Sequence, residues 1–142
     1  MSPVSGAPPQ TSPLPSNCKV LVAEDDVLVR LMLADELRKS GLQVFEANHS
    51  YEAISILKSV PVDVVITDLH MRMAMEGLEL ARYVRAHHPD VPLLLSSAHA
   101  LPITDCDYFD AFFVKPYDPQ RIVTWISQRQ PTNLDHKDSD VA

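Results

Sequence analysis

The chain has 142 residues, 46% of them hydrophobic and 22% charged, so it can bury one core of ordinary size and hardly two. Its formal net charge of −7 argues against a nucleic-acid-binding module, because its 12 lysines and arginines are scattered and phosphate binding needs clustered basic residues. The two cysteines, Cys18 and Cys106, lie far apart, which gives little support for a disulfide framework or a zinc site and fits a reducing cytosol.

The two ends of the chain differ in composition from its middle. Residues 1–17 are rich in proline and serine and have no apolar periodicity, so we expect a disordered arm. The arm lacks the basic and apolar regions of a signal peptide, and no stretch reaches ~18 consecutive apolar residues, so no membrane insertion is expected. Residues 131–142 are polar and acidic and are expected to form a disordered tail. Residues 18–130 then form one folded domain, which we expect in the cytoplasm.

Between these ends, short apolar runs alternate with helical patterns. The predicted strands are Lys19–Ala23, Gln43–Ala47, the β-branched run Val64-Val65-Ile66 that ends at Asp68, Pro92–Ser96 and Ala111–Val114. The predicted helices are Val27–Ser40, Ser50–Ser59, Glu76–His88 and Asp118–Gln130. Each short crossover must bring the chain back beside the previous strand, so the sequence predicts an α/β fold with a doubly wound, five-stranded parallel sheet.

Local signals predict how the helices begin, end and pack. The buried face of the first helix is predicted by four residues at helical spacing, Leu28, Leu31, Ala34 and Leu37. Gly41 is placed to end that helix. Ser50 is the expected N-cap of the second helix, and Asp118 that of the last helix, with Pro119 at its first position.

Polar side chains stand where the predicted strands end. In an open parallel sheet the carboxyl ends of the strands meet at one edge, and ligands bind there. The residues expected to converge at this edge are Glu24, Asp25, Asp68, Ser97 and Lys115. Crowded carboxylates repel one another unless a cation neutralises them. A hard divalent ion such as Mg²⁺, bound by one or two carboxylates with waters and a backbone carbonyl, would meet that need.

Four motifs in this order resemble the receiver domain of two-component response regulators. They are the run from Val20 to Asp26, the strand end Thr67-Asp68, the pair Ser97-Ala98 and the pair Lys115-Pro116. The resemblance covers Lys19 to about Gln130 and implies a flavodoxin-like fold. The site residues that it implies are Asp68 as phosphoacceptor, Glu24, Asp25, Asp68 and the backbone carbonyl of His70 as Mg²⁺ ligands, Ser97 and Lys115 at the phosphoryl oxygens, and Phe112 as the aromatic switch.

The same resemblance implies a function. A sensor histidine kinase would supply the phosphoryl group to Asp68, and the domain would catalyse only its own phosphorylation and dephosphorylation. Too few residues follow the last helix for an output domain, so we expect a stand-alone bacterial regulator that contacts a downstream protein target or a phosphotransferase of a phosphorelay. The oligomeric state, a homodimer included, stays open.

The chain departs from the family pattern in two places. After Asp68 the family usually has a proline where this chain has Arg72, and the loop that leads to Glu76 and Gly77 is one residue longer. Only 17 residues separate Ser97 from Lys115, with Pro102 among them, so the family's fourth helix, between the fourth and fifth strands, is expected to be short or absent. Because many receivers meet partners on that face, partner choice should be unusual.

Several assignments have open alternatives. Asp25 and Asp26 could both merely cap the first helix, and Asp26 fits that role better than Asp25. Ser96 competes with Ser97 because the strand end is uncertain by one residue. Phe112 and its neighbour Phe113 both fit plain core positions. The histidines His70 and His99 would hang over the pocket, where they would tune attack by water, bind a transition metal or face solvent.

Two other functions stay open as well. The first is a receiver-like protein-binding module that works without phosphorylation, which the altered loop after Asp68 would explain. The second is a phosphohydrolase of the haloacid dehalogenase type. That enzyme class needs a second aspartate two residues after the nucleophile, and here position 70 is His.

Overall fold

A computed structural model of the chain describes residues 18–69, 71, 76–98 and 107–129. Its strands are β1 (Lys19–Ala23), β2 (Gln43–Ala47), β3 (Val64–Thr67), β4 (Leu93–Ser97) and β5 (Ala111–Val114). Its helices are α1 (Val27–Lys39), α2 (Ser50–Ser59), α3 (Glu76–His87) and α4 (Pro119–Ser127). The strands form one parallel sheet in the order β2-β1-β3-β4-β5, which confirms the predicted doubly wound architecture.

Hydrophobic clusters cover both faces of this sheet. Side chains of a strand alternate between its two faces, so Leu21 packs in one cluster while Val20 packs in the other. The first cluster includes residues of α2 and α3, such as Leu57 and Leu80. The second includes residues of α1 and α4, such as Leu37 and Ile122. Burial on both faces explains why the central strands are continuous apolar runs.

The strand order reverses between β1 and β3. From β1 the chain runs outward to β2, and it then returns to the other side of β1 to form β3. Ala23 at the end of β1 pairs with Thr67 at the end of β3, and the N–H of Asp68 donates to the carbonyl oxygen of Ala23 at 3.2 Å. The residues that follow β1 and β3 are therefore neighbours at the edge where parallel sheets bind ligands.

The ends of several elements differ from prediction by one to three residues. β4 is Leu93–Ser97 rather than Pro92–Ser96, and β3 ends at Thr67. α1, α3 and α4 end at Lys39, His87 and Ser127, before their predicted ends. Hydrogen bonding decides the last residue of an element, and apolar periodicity does not report it.

The predicted buried face of α1 is wrong at two positions. Leu28 and Leu31 are 69% and 47% exposed, whereas the buried residues are Leu33, Ala34 and Leu37. One turn before Ala34, on the same face of the helix, stands Arg30. The inward face of α1 therefore continues toward its N-terminus through a half-buried arginine, and Leu28 and Leu31 are turned toward solvent.

The caps of the helices agree with prediction in two cases of three. Asp118 caps α4, with Pro119 in the first turn, and Asp26 caps α1. The expected N-cap of α2 is wrong, because His49 occupies that position and its Nδ1 accepts a hydrogen bond from Glu52 N–H at 3.3 Å. Ser50 is already helical, and its N–H donates to Oε1 of the buried Glu76 at 2.9 Å.

Some predictions concern residues outside the described ranges. These are the arm at 1–17, the tail at 131–142, the loop positions 70 and 72–75, and His99. The expected short helix between β4 and β5 also lies there, apart from a 3₁₀ turn at 107–108. No helix within the described ranges is long and apolar enough to cross a membrane.

Candidate functional site

The acidic turn after β1 is held by its backbone and by its own side chains. The N–H of Glu24 donates to the carbonyl oxygen of Ala47 at 3.0 Å, which fixes the turn to the end of β2. Asp26 Oδ1 accepts from Val29 N–H at 3.2 Å and thereby caps α1. The N–H of Asp26 in turn donates to Glu24 Oε2 at 3.1 Å. The Asp26 side chain thus serves as the N-cap of α1. The partly exposed Asp25 lies between two residues that hydrogen bonds hold in place.

Asp68 follows β3 with its backbone fixed on both sides. The hydroxyl of Thr67 donates to the carbonyl oxygen of Asp68 at 2.8 Å. Gly77, in the first turn of α3, packs so closely that an added Cβ would lie 2.7 Å from Leu69 Cα and overlap the Asp68 carbonyl oxygen. The N–H of Gly77 also donates to the carbonyl oxygen of Leu69 at 2.8 Å. The position of Asp68 therefore depends on the absence of a side chain at residue 77.

Lys115 joins the two acidic segments. It follows β5, and its Nζ lies 2.7 Å from Glu24 Oε1 and 2.9 Å from Asp68 Oδ2. Its own N–H donates to the carbonyl oxygen of Ser97 at 2.8 Å, which places the lysine beside the end of β4. One ammonium group thus bridges carboxylates from two strand ends that the prediction expected to converge, and the cluster keeps a net negative charge.

This ion cluster shifts the protonation of its members. Burial acts to lower the pKa of the Lys115 ammonium, but the hydrogen bonds to Glu24 and Asp68 outweigh it and raise that pKa above its ordinary value. Burial raises the pKa of the Glu24 carboxyl, and the hydrogen bonds from Lys115 and from Asp26 N–H offset this only in part. Lys115 therefore remains a cation at neutral pH, whereas at Glu24 the effect of burial on the pKa exceeds that of the hydrogen bonds.

Ser96 and Ser97 point to opposite faces of the sheet. The Ser96 hydroxyl lies 3.0 Å from the Tyr117 hydroxyl, and burial raises the pKa of this phenol. Ser97 is the last residue of β4 and pairs with Val114, immediately before Lys115. The structure thus places Ser97 beside the residue that precedes Lys115 and pairs Ser96 with a tyrosine. The preference for Ser97 as the phosphoryl-binding serine stays a prediction.

The two phenylalanines of β5 differ in burial. Phe113 is buried in the cluster that α1 and α4 cover, so it occupies a core position. Phe112 points to the other face, is 44% exposed and has its ring centroid 6.2 Å from that of Phe109. Phe112 is therefore not a plain core residue, and it shares the Ser97 face of the sheet.

The donor chemistry of this edge fits a hard divalent cation. Glu24, Asp25 and Asp68 offer carboxylate oxygens, and no ion pair among the described residues involves Asp25. Within the same ranges, no group of three acidic, histidine or cysteine side chains is arranged to hold a metal alone. Mg²⁺ does not require such a group, because it usually takes one or two carboxylates and keeps several waters. His70, whose carbonyl was the fourth expected ligand, and His99 lie outside the described ranges.

Sequence reasoning missed two residues near the site. Arg30 of α1 donates to the carbonyl oxygen of Glu24 at 2.8 Å, and Tyr117 holds Ser96. The sequence contained a signal for Arg30, since a charged residue on the inward face of a helix needs a buried partner. It contained no signal for Tyr117, because a tyrosine after Lys115-Pro116 fits a solvent-exposed turn equally well.

An apolar surface adjoins the site on α1. Four large apolar residues there are exposed, namely Val27, Leu28, Leu31 and Met32. Beside them, between α1 and the segment after β5, is a groove of about 410 Å³ lined by Val29, Met32, Leu33, Lys115, Pro116, Tyr117 and Pro119. Lys115 lines the groove and also contacts Asp68, so the apolar surface reaches the ion cluster.

Comparison with known proteins assigns the family. The sequence profile described as the response regulator receiver domain matches residues 20–127, which include every described site residue. The chain belongs to the response regulator receiver domain family. Receiver domains are signalling modules rather than enzymes in the ordinary sense, and phosphorylation and Mg²⁺ binding are general features of the family.

Individual relatives agree with this assignment. The receiver domain is 29% identical over 110 residues to the chemotaxis protein CheY of Thermotoga maritima, covering 74% of this chain and 91% of CheY. It is 28% identical to the DNA-binding transcriptional regulator NtrC of Salmonella typhimurium, covering 82% of this chain but only 27% of NtrC. The structure of TrrA from Thermotoga maritima, in complex with Mg²⁺ and BeF, matches with a TM-score of 0.71 at 25% identity, covering 78% of this chain and 97% of TrrA.

Proposed function

We propose that this receiver domain accepts a phosphoryl group on Asp68 from a phosphohistidine of a sensor histidine kinase and passes the signal on through protein contacts or a phosphorelay. The supporting observation is the ion pair of 2.9 Å between Asp68 Oδ2 and Lys115 Nζ. The Asp68 side chain keeps 12% of its surface exposed at the carboxyl edge of the sheet. It is thus held by an ion pair, yet partly exposed to a donor from outside.

The transfer needs a positioned carboxylate more than a strong nucleophile. An oxygen of Asp68 forms a bond to phosphorus while the bond to the histidine nitrogen breaks, and the electron pair leaves with the imidazole. Because the transition state is loose, the site acts mainly by alignment and by balancing charge. Lys115 would neutralise a phosphoryl oxygen at the position where it now contacts the carboxylates.

A metal ion belongs to this proposal. Asp25 and Asp68 would bind Mg²⁺, with Glu24 and the backbone carbonyl of His70 completing its surroundings through direct or water-mediated contacts. When bound, Mg²⁺ would supply positive charge to the phosphoryl oxygens. Lys115 Nζ now lies 2.7 Å from Glu24 Oε1. An incoming phosphoryl group would therefore compete with the carboxylates for the Lys115 ammonium.

The signal would leave the site along the face of the sheet shared by β4 and β5. Ser97 pairs with Val114, and Leu95, two residues earlier on the same face, pairs with Phe112. A phosphoryl dianion on Asp68 would attract the Ser97 hydroxyl, and the resulting shift would favour a different position of the exposed Phe112 ring. A downstream protein or phosphotransferase would then distinguish the two states by their surface at β5.

The apolar face of α1 supports the kinase as donor. Exposed apolar side chains beside a charged site suit a protein partner better than a small metabolite. A partner helix packed on Leu28 and Met32 would lie close to the groove that Lys115 lines. The donor would be aligned with Asp68 by apolar contacts that do not change during the transfer.

Intact-mass measurement tests the proposal. Wild-type protein is incubated with Mg²⁺ and acetyl phosphate, in parallel with Asp68→Asn and with Asp35→Asn. Asp35 is the matched control because it is an exposed aspartate of α1 that pairs only with Lys39 among the described residues. We expect one phosphoryl adduct on the wild type and on Asp35→Asn, and none on Asp68→Asn. An adduct on Asp68→Asn, or none on any protein, would contradict the proposal, and the second result would favour a protein-binding module that works without phosphorylation.

A further inference from the structure

The half-buried guanidinium of Arg30 makes three contacts around the acidic turn. Its Nη1 donates to the carbonyl oxygen of Glu24 at 2.8 Å and to Asn48 Oδ1 at 3.3 Å. Its Nε donates to Glu46 Oε1 at 3.1 Å. The Arg30 side chain is only 15% exposed, although Leu28 and Leu31 in the same part of α1 are exposed. This arginine thus links the end of β2 to the turn after β1.

The contact with Glu24 acts on a particular peptide bond. The carbonyl that Arg30 holds belongs to the peptide between Glu24 and Asp25, so its direction fixes the plane from which the Asp25 side chain projects. The flanking groups are fixed as well, because Glu24 N–H bonds to Ala47 and Asp26 caps α1. Arg30 therefore holds the carbonyl immediately before Asp25, between two segments that are themselves fixed.

The charge of Arg30 is balanced away from the carboxylates at the edge. Glu46 accepts from Arg30 with one oxygen and from Arg38 Nη1 with the other at 3.0 Å. Asn48 adds a neutral acceptor. The carboxylates of Glu24 and Asp68 are paired with Lys115 instead. Among the described residues, the contact of Arg30 with the site is therefore made through the backbone of Glu24 and not through its carboxylate.

We propose that Arg30 is a positioning residue that orients Asp25 for divalent-cation binding by holding the Glu24 carbonyl. This inference rests on the proposed function, because it assumes that the edge binds Mg²⁺. A guanidinium suits the role because its planar fork reaches three acceptors at fixed angles, whereas a lysine ammonium would reach fewer of them.

The test measures Mg²⁺ binding directly, by calorimetric titration of the unphosphorylated protein with MgCl₂. Arg30→Met should weaken the affinity about tenfold, as is typical when the partner of a metal ligand is removed. Arg38→Met is the matched control, since Arg38 binds the other oxygen of the same Glu46 but contacts Val44 rather than the acidic turn. Its affinity should stay close to that of wild type. Arg30→Lys should recover only part of the loss.

A second readout separates orientation from stability. In ¹H–¹⁵N spectra recorded without metal, the Asp25 amide should shift in Arg30→Met and stay in place in Arg38→Met, while urea unfolding of both variants is compared. Equal Mg²⁺ affinity in wild type and Arg30→Met would overturn the inference, as would an equal loss in both methionine variants or complete recovery in Arg30→Lys. If wild type itself did not bind Mg²⁺, the proposed function would fail and this inference with it, whereas failure of the inference alone leaves wild-type binding intact.

Discussion

Lys115 Nζ lies 2.9 Å from Asp68 Oδ2, although the two residues follow strands that are not neighbours in the sheet. β4 separates β3 from β5, and the lysine side chain reaches across its end. The same ammonium also holds Glu24 after β1. The Lys115 ammonium thereby connects the residues that follow β1, β3 and β5. A substitution of Glu24 or Lys115 should therefore change the surroundings of the Asp68 carboxylate.

The ion cluster predicts a pH dependence of stability at Glu24. Burial raises the pKa of this carboxyl above its ordinary value near 4.5. A group with a raised pKa in the folded state stabilises the fold fully below its unfolded pKa, and this contribution is lost as pH rises through the folded value. In EDTA, the free energy of unfolding of Glu24→Gln relative to wild type should therefore rise from about pH 4.5 to neutral pH. Urea unfolding of both proteins at several pH values measures this difference in free energy.

Glu79→Gln is the control for this pH series. Glu79 is an exposed residue of α3, for which the structure gives no side-chain partner within the described ranges. The variant should track wild type across the series. A constant difference between Glu24→Gln and wild type, or one that falls with pH, would contradict the assignment of the desolvation cost to Glu24.

The two serines at the end of β4 should have separable effects. Ser97→Ala removes the hydroxyl that we propose contacts the phosphoryl group, so the adduct should be lost about tenfold faster, as expected for a hydrogen bond to a charged group. Ser96→Ala removes the contact with Tyr117 and should lower the free energy of unfolding by about 1 kcal/mol without changing adduct lifetime. Time courses of intact mass measure the adduct lifetime, and urea unfolding measures the free energy of unfolding of each variant. The reverse pattern would show that Ser96 is the phosphoryl-binding residue.

Gly77 should be required for Asp68 geometry. An added methyl group overlaps the Asp68 carbonyl oxygen, so Gly77→Ala should lower the free energy of unfolding by roughly 1–3 kcal/mol and reduce phosphoryl adduct formation. Gly41→Ala is a suitable comparison, because φ at Gly41 is +96° and its surroundings are open. It should also be destabilised, by roughly 1 kcal/mol, but should form the adduct normally. Equal adduct formation in both variants would refute the role of the close contact.

Arg85 should stabilise the opposite edge of the sheet. It donates to the carbonyl oxygens of Tyr108 and Val91 at 3.0 and 2.9 Å and to Asp110 Oδ2 at 2.7 Å. Arg85→Met removes the donor to the Tyr108 and Val91 carbonyl oxygens, while Asp110 Oδ2 still accepts from Leu93 N–H at 2.8 Å. The variant should lower the free energy of unfolding by roughly 1–3 kcal/mol. Lys39→Met, which breaks an exposed pair with Asp35, should change it by less than about 0.5 kcal/mol. Similar values for both variants in urea unfolding would be inconsistent with this role.

The centre of the sheet could be predicted from the sequence because β1, β3 and β4 are buried on both faces. A buried strand needs a continuous apolar run, and β1 has the predicted bounds. The rule that parallel strands meet at their carboxyl ends then predicted that Glu24, Asp68 and Lys115 would converge, as they do. The order of strands and polar residues along the chain was sufficient to predict this part of the site.

What the sequence did not reveal depends on contacts between distant segments. The inward face of α1 includes Arg30 rather than Leu31. The reason is that Glu46 in β2 and Asn48 just after it supply hydrogen-bond acceptors for the guanidinium. His49 rather than Ser50 caps α2 because the buried Glu76 takes the Ser50 N–H. Periodicity within one helix carries no information about such partners, so the sequence alone could not assign these positions.

The central claim is that the carboxylate of Asp68 is the phosphoacceptor, and reductive trapping tests it most directly. Protein phosphorylated by acetyl phosphate in the presence of Mg²⁺ is treated with borohydride, which reduces an aspartyl phosphate to homoserine, and the peptides are then sequenced by mass spectrometry. The account predicts homoserine at position 68 and unmodified aspartate at Asp25 and Asp26. Homoserine at another position, or phosphate retained on a histidine, would contradict it.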